Sequence, residues 1–404
     1  MNRTKQLLTA LATTAALVLP GAALPQEPPG YFKIPGTDTT LKLYGFVQVY
    51  GTDDLSGRIA DIENYDWATI VPVQPLNGTP DAKEKGRLYF TARTSRLGVT
   101  TTTPTRFGAL DTKLEGDFNG PNGFQGQTYT NSVLFRLRHA YATMAGFLVG
   151  QTWSLFLDFP SAPDTVDFNG PGTLALVRQP QVRYTFQPAP DMSVAVGVEN
   201  PHNGGVGHLP DFTAKFGYTP KWASLGLGFV TNQYRYSKLG DGTPNNRTAQ
   251  GYGVSLSGST KLPWNDTVLG LLVFGNGVGR YMFNAIANFD GPDSSGNLKL
   301  WQSTAYHLGY THVWNGEFRS NVIWSQTFFS RNGIDPSTFA PADDAGSGTF
   351  VPNKRIDQLF LNTFWDIAKN TELGVEYELG RRHTQLHQTG KEDRITVSAT
   401  YNFF

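Results

Sequence analysis

The chain contains no cysteine, which excludes disulfides, thiolate catalysis, iron–sulfur clusters and thiolate zinc sites. Charge is scarce. Only 16% of residues are Asp, Glu, Lys or Arg, well below the roughly 25% of an average soluble domain. Neither sign prevails, with 33 basic and 33 acidic side chains in 404 residues. That balance leaves no footprint for nucleic acid, which calls for a clearly basic surface. Beyond the N-terminus, long apolar runs are missing as well. The longest, Val268–Phe274, has the length of a strand, whereas a membrane-spanning helix needs about 20 apolar residues.

What the chain does have is aromatics, glycine and proline: 17 Tyr, 27 Phe, 8 Trp, 44 Gly and 25 Pro. The N-terminus reads as an export signal. Arg3 and Lys5 supply the positive start, Leu7–Leu19 the apolar core and Gly21-Ala22-Ala23 the small residues of a cleavage site. The expected organisation is therefore a signal peptide over residues 1–23 and one domain over 24–404.

Along that domain, apolar and polar residues alternate with period two. In Leu110–Phe118, Leu110, Thr112, Leu114, Gly116 and Phe118 fall on one face, and Asp111, Lys113, Glu115 and Asp117 on the other. Phe135 and Leu137 alternate with Arg136 and Arg138, and Leu373, Val375, Tyr377 and Leu379 with Glu372, Gly374, Glu376 and Glu378. Sixteen such strands are predicted, near 39–50, 86–100, 109–118, 133–143, 146–154, 178–187, 191–199, 211–219, 222–235, 248–261, 265–276, 301–314, 316–329, 355–366, 371–382 and 391–404. Between Leu88-Phe90-Ala92 and Leu97-Val99 the parity changes, which predicts a bulge beside Arg96. Short turns alternate with long polar loops at 51–85, 119–132, 155–177, 200–210, 236–247, 277–300, 330–354 and 383–390.

In hydrocarbon every backbone polar group must be satisfied within the protein, so only helices and closed barrels span a bilayer. No apolar segment is long enough for a helix. The pattern therefore implies an all-β fold: a transmembrane antiparallel β-barrel of 16 strands, wide enough to leave an aqueous lumen. Tyr and Trp at many strand ends fit interfacial girdles, and the terminal Asn402-Phe403-Phe404 fits the aromatic end of an outer-membrane barrel.

Several segments resemble the DcaP-like porins, which are related to the general trimeric porins of Gram-negative bacteria. They are Gly30–Thr37, Thr94–Val99, Leu114–Phe118, Leu137–Tyr141, Gly150–Phe156, Thr165–Pro171 and Arg178–Tyr184, together covering residues 30–187. The resemblance implies an outer-membrane homotrimer that passes small hydrophilic solutes, organic acids such as dicarboxylates among them, through a water-filled pore. It also implies that the loop 155–177 folds into the lumen as a constriction, bringing Asp158, Asp164 and Asp167. Facing it, Arg93, Arg96, Arg136, Arg138 and Arg183 are the candidate basic wall, since guanidinium stays charged and grips carboxylates with a planar fork.

Other signals carry less. His383 and His387 are four residues apart in a polar loop, and Glu376 and Glu378 share a strand face, but neither pair specifies a metal or catalytic site. No cofactor, metal or catalytic residue is expected. Two alternatives remain at this stage. One is an outer-membrane barrel enzyme such as a lipid hydrolase, which needs a Ser/His constellation on the outward girdle. The other is a soluble secreted β-rich binding protein.

Overall fold

The computed structural model describes residues 30–56, 71–120, 134–201, 208–235, 244, 246–287, 291–292, 297–331 and 351–403. The expected signal segment lies outside them. Sixteen strands form the barrel and are numbered here in chain order. β1 is Thr40–Ser56; β2 comprises Arg87–Thr91 and Arg96–Thr105; β3 is Gly108–Asp117; β4 is Arg136–Met144. They continue as β5 Phe147–Trp153, β6 Arg178–Ala189, β7 Met192–Glu199, β8 Asp211–Tyr218, β9 Ala223–Arg235 and β10 Thr248–Lys261. The last six are β11 Thr267–Asn276, β12 Gln302–Val313, β13 Phe318–Ser330, β14 Asn353–Ala368, β15 Thr371–Thr384 and β16 Thr389–Phe403. Each predicted strand has its counterpart. A three-residue strand, Tyr31–Lys33, folds back on the start of β1.

Every neighbouring pair is antiparallel, and β16 closes the sheet on β1, with Gly45 opposite Phe403 and Asp54 opposite Arg394. Closure leaves no unpaired edge, as a membrane requires. The alternation orients the wall. Leu114 is 57% exposed on the outside, while Glu115 and Asp117, its polar-face neighbours, are buried inside. Leu361, Val375 and Val397 repeat the outward apolar pattern on β14 to β16. These exposed side chains form the outward apolar belt of a membrane barrel.

Connections at one end are short. Ala145 and Gly146, at φ 50° and 86°, make the two-residue hairpin between β4 and β5. Between β10 and β11, Trp264 and Asn265 both take φ 65°. Asp266 holds that turn by accepting from Tyr310 Oη at 2.5 Å and Val313 N at 3.1 Å, with His312 Nδ1 at 3.0 Å. Those hydrogen bonds, the tyrosine's foremost, lower its carboxyl to about 2. Trp222, Trp264 and Trp314 project from three short-turn connections and are among the most exposed large side chains, as expected of an interfacial girdle.

Two strands differ from their alternation. β1 continues to Ser56, past the predicted end at 50, because its polar residues find partners across the seam: Asp54 Oδ1 accepts from Arg394 Nε at 2.6 Å. Pairing here overrides propensity. In β2 the expected irregularity is a break at Ala92–Ser95, where Ser95 Oγ accepts from Gln48 N at 3.1 Å and substitutes for the lost ladder bond.

Candidate functional site

The segment Ser154–Val177, between β5 and β6, runs inside the barrel. Its entry is fixed by Glu199 at the end of β7, which accepts from Ser154 Oγ at 2.9 Å and Leu155 N at 3.1 Å. Phe156, Leu157, Leu174 and Ala175 then pack against the inner faces of β9 to β14, among them Val230, Leu271, Val273, Ala305, Ile323, Ile356 and Phe360. Val71, Val278, Tyr281 and Met282 from two other loops join the same cluster. Burying each large side chain contributes roughly 1.5–3 kcal/mol, so the loop is held on the inner wall of β9 to β14 as a stable apolar plug.

Polar contacts set the loop's register on that wall. His307, fully buried on β12, reaches Thr173 Oγ1 with Nδ1 and Ser161 O with Nε2, both at 2.7 Å. Gly172 N donates to Gln358 Oε1 at 3.0 Å. The three loop acids are anchors too. Asp158 pairs with Lys215 Nζ of β8 at 2.6 Å. Asp164 receives Arg319 Nε of β13 at 2.7 Å, and the same guanidinium bonds Glu372 at 2.6 Å. Asp167 accepts from Asn169 N, Gly170 N and Tyr50 Oη, while its own N–H donates to Glu376 Oε1 at 2.7 Å. Asp158 and Asp167 are buried; of the three carboxylates only that of Asp164 is substantially exposed.

The open part of the lumen lies between this loop and the charged wall of β1 to β8. It holds two adjoining cavities that share Lys113, His139, Trp153 and Phe159. The first, of about 490 Å³, brings Arg96 and Arg138 together with Asp164 and Asp167. The second, of about 480 Å³, reaches Thr185 and Ser193 near the short-turn ends, and contains Arg183 and Lys215.

The five wall arginines are placed differently. Arg136 grips Asp117 with Nε at 2.9 Å and Nη2 at 2.7 Å. Arg138 bridges Glu115 at 2.7 Å and Asp117 at 2.8 Å. Arg96 stands 3.5 Å from Glu115, with its guanidinium over the Phe46 ring. Arg93 is buried beside the break in β2, donating to Tyr89 Oη at 2.7 Å, and lines neither cavity. Arg183 lines the second cavity and has no ion pair among the described residues.

Sequence reasoning did not select Glu115, Asp117, Lys113, Lys215, His139 or Trp153 for the site. The first three sit on the polar face of β3, and their alternation was the available signal. His139 was hidden by a bulge. Glu115 pairs with His139 but Gly116 with Leu137, so Arg138 is the extra residue and His139 faces inward as well. The first cavity is thus balanced, with Arg96, Lys113 and Arg138 against Glu115, Asp164 and Asp167. The second has Lys113, Arg183 and Lys215, and among the described residues no carboxylate lines it. Among the described residues no cluster of three or more His, Asp or Glu is placed to hold a metal ion.

A closed barrel with a lipid-compatible exterior, a loop packed inside it and a charged open channel defines an outer-membrane channel. Residues 32–403 match the family described as DcaP outer membrane protein, and the chain belongs to that family. The fold is similar to the outer membrane channel DcaP of Acinetobacter baumannii, with a TM-score of 0.76 and 25% identity over 92% of this chain and 99% of that one. It is also similar to OmpT of Vibrio cholerae with its loop L8 deleted, at TM-score 0.58 and 14% identity over 90% and 99% of the two chains. A third likeness is to Salmonella typhi OmpF, at 0.55 and 11% over 92% and 100%. No curated protein sequence matches the chain. The protein therefore resides in the outer membrane, and the soluble secreted alternative is set aside.

Proposed function

We propose that this channel passes small organic anions, dicarboxylates among them, and that it does so as a homotrimer. The observation that carries the anion reading is the second cavity, where Lys113, Arg183 and Lys215 line the passage and, among the described residues, no carboxylate does. Two of these cations are partly compensated: Lys113 lies 3.2 Å from Glu115 and Lys215 2.6 Å from Asp158. Arg183 forms no ion pair among the described residues and feels Glu199 only at longer range, so it leaves positive potential in a narrow, low-dielectric-walled passage, which concentrates anions there. The Arg96–Arg138 group above it offers further guanidinium donors, weakened by their own carboxylate partners. Several weak sites in series suit conduction, because a solute must leave as well as enter.

The test is single-channel recording of purified protein in a planar bilayer under a salt gradient. A reversal potential on the anion side, with current interrupted by added succinate, supports the reading, and closure in three equal steps supports the trimer. A cation-selective pore overturns the anion assignment. A folded barrel without conductance would favour a lipid-directed enzyme instead.

A further inference from the structure

Among the described residues, the outer face of the barrel carries a cluster of charges on β14 to β16 that the channel does not use. On β14 to β16 the outward apolar residues end at Leu359, Leu379 and Ile395 on the long-loop side. Two residues further along each strand, about 6.7 Å, the same face carries Asp357, Arg381 and Asp393, and on β16 Lys391 follows two residues beyond Asp393. Asp357, Arg381 and Lys391 stand in one row, Asp357 opposite Arg381 and Arg381 opposite Lys391. Arg355 follows in the next outward position on β14, bonding Asp357 Oδ2 through Nε at 3.0 Å and meeting His383 Nε2 at 2.8 Å. Lys354 is exposed in the adjoining bulge, and Lys391 pairs with Asp393 at 2.7 Å.

Four cations thus face two carboxylates, and Arg381 is exposed with no ion pair among the described residues. The patch is local. On several other strands the outward residues near the long-loop end are Phe118, Phe135, Val198, Phe212, Tyr252 and Phe274, all exposed and none charged; Asp53 on β1 and Arg235 on β9 are single outward charges, not groups of cations. A generic solvated rim would be polar all round. Here four cations and two carboxylates are gathered at the edge of the apolar belt, so positive charge is in excess there.

We propose that this patch binds the phosphate of an outer-leaflet lipid whose acyl chains lie on Leu359, Leu361, Val375 and Val397 beneath it. Arg381 is the central contact, a free planar fork for phosphate oxygens. Lys391 and Arg355 flank it, the latter held in place by Asp357 and His383. The occupant is a lipid and not a free anion because Arg381 stands one outward position, and Lys391 and Arg355 two, above the side chains that acyl chains cover.

The experiment titrates the purified full-length barrel in detergent with bisphosphorylated lipid A, with the same lipid after phosphate removal, and with inorganic phosphate, reading occupancy by native mass spectrometry. The wild type should retain the bisphosphorylated lipid and bind the dephosphorylated one far more weakly. The double variant R381Q/K391Q should weaken binding about thirty-fold, and each single variant about fivefold. Single-channel conductance should stay at the wild-type value, since both residues lie outside the lumen; if the double variant fails to fold, the single variants decide. Equal binding of the two lipids, or an unchanged affinity in the variants, overturns the proposal. So does displacement of the lipid by an equal concentration of inorganic phosphate, which would make this a free-anion site.

Discussion

Arg183→Gln removes the one cation of the second cavity that has no ion-pair partner, and its effect can be worked out from the cavity's size. The volume is about 480 Å³; a sphere of that volume has a radius of about 5 Å, so a wall charge acts on a central ion with about 0.8 kcal/mol in water. Screening at 0.1 M salt, with a Debye length near 10 Å, leaves about 0.5 kcal/mol. The same charge attracts an anion and repels a cation, so the permeability ratio moves twice, and the substitution should lower anion preference about fivefold. At 1 M salt the Debye length is about 3 Å, and the change should shrink below about twofold. Reversal potentials under KCl gradients at both salt levels measure this. An unchanged ratio at 0.1 M would refute the reasoning. A change that survives undiminished at 1 M would show that Arg183 acts through the shape of the passage and not through its field.

Other substitutions probe the plug and the wall. Phe156→Ala takes a buried ring out of the apolar cluster, where it meets Tyr281 edge-on at 6.0 Å; it should cost about 3–5 kcal/mol, read as a lower temperature for loss of the heat-modifiable folded band on a gel. Arg319→Gln releases Asp164 and Glu372 together. Because all three are partly exposed the stability change should stay under about 1 kcal/mol, but open-channel current noise should rise as the loop loses that tether; quiet traces would show that the apolar contacts hold it alone. Gly150→Ala should lower refolding yield and stability by about 1–3 kcal/mol. At φ 127° a Cβ there would lie 2.2 Å from Ala140 O and 2.6 Å from Tyr141 Cα, both backbone atoms of the paired strand.

How far the sequence reveals this protein depends on which interactions are local. Strand number and facing are legible because a barrel wall between lipid and water imposes period two on every strand, and a one-residue error would turn Glu115 and Asp117 into the lipid. The limits of β1 are not legible, since Gly51–Ser56 are poor strand formers kept in the sheet by partners such as Arg394, more than 300 positions away. The bulge at Arg138 is invisible for the same reason: the local pattern Phe135-Arg136-Leu137-Arg138 is regular, and only pairing with β3 shows that His139 also turns inward. The plug did leave a trace. Val268–Phe274 is apolar on both faces, which a strand with water on one side would not be. Its inward residues Leu269, Leu271 and Val273 are all buried, the last two against loop side chains.

That two-faced strand also bears on the role of the loop acids in the proposed selectivity. A loop held only by ion pairs would spend the lumen's charges on its own attachment. Here the apolar inner faces of β9 to β14 supply most of the attachment, and they do so on the side of the barrel away from the arginines. Asp158 and Asp167 fix register on top of that packing, each consumed by a partner, Lys215 for one and backbone N–H groups with Tyr50 for the other. Their charge is therefore largely cancelled before a solute meets it. The wall is treated in the same way at its upper level, where Glu115 and Asp117 hold Arg136 and Arg138 rigid and nearly neutral as a group. Two wall arginines have no ion pair among the described residues: Arg178, over the Trp153 ring at the upper level, and Arg183 lower down. On the proposed anion pathway, the sign of selectivity follows from which charges lack partners, and not from how many charges of each sign the loop and the wall contain.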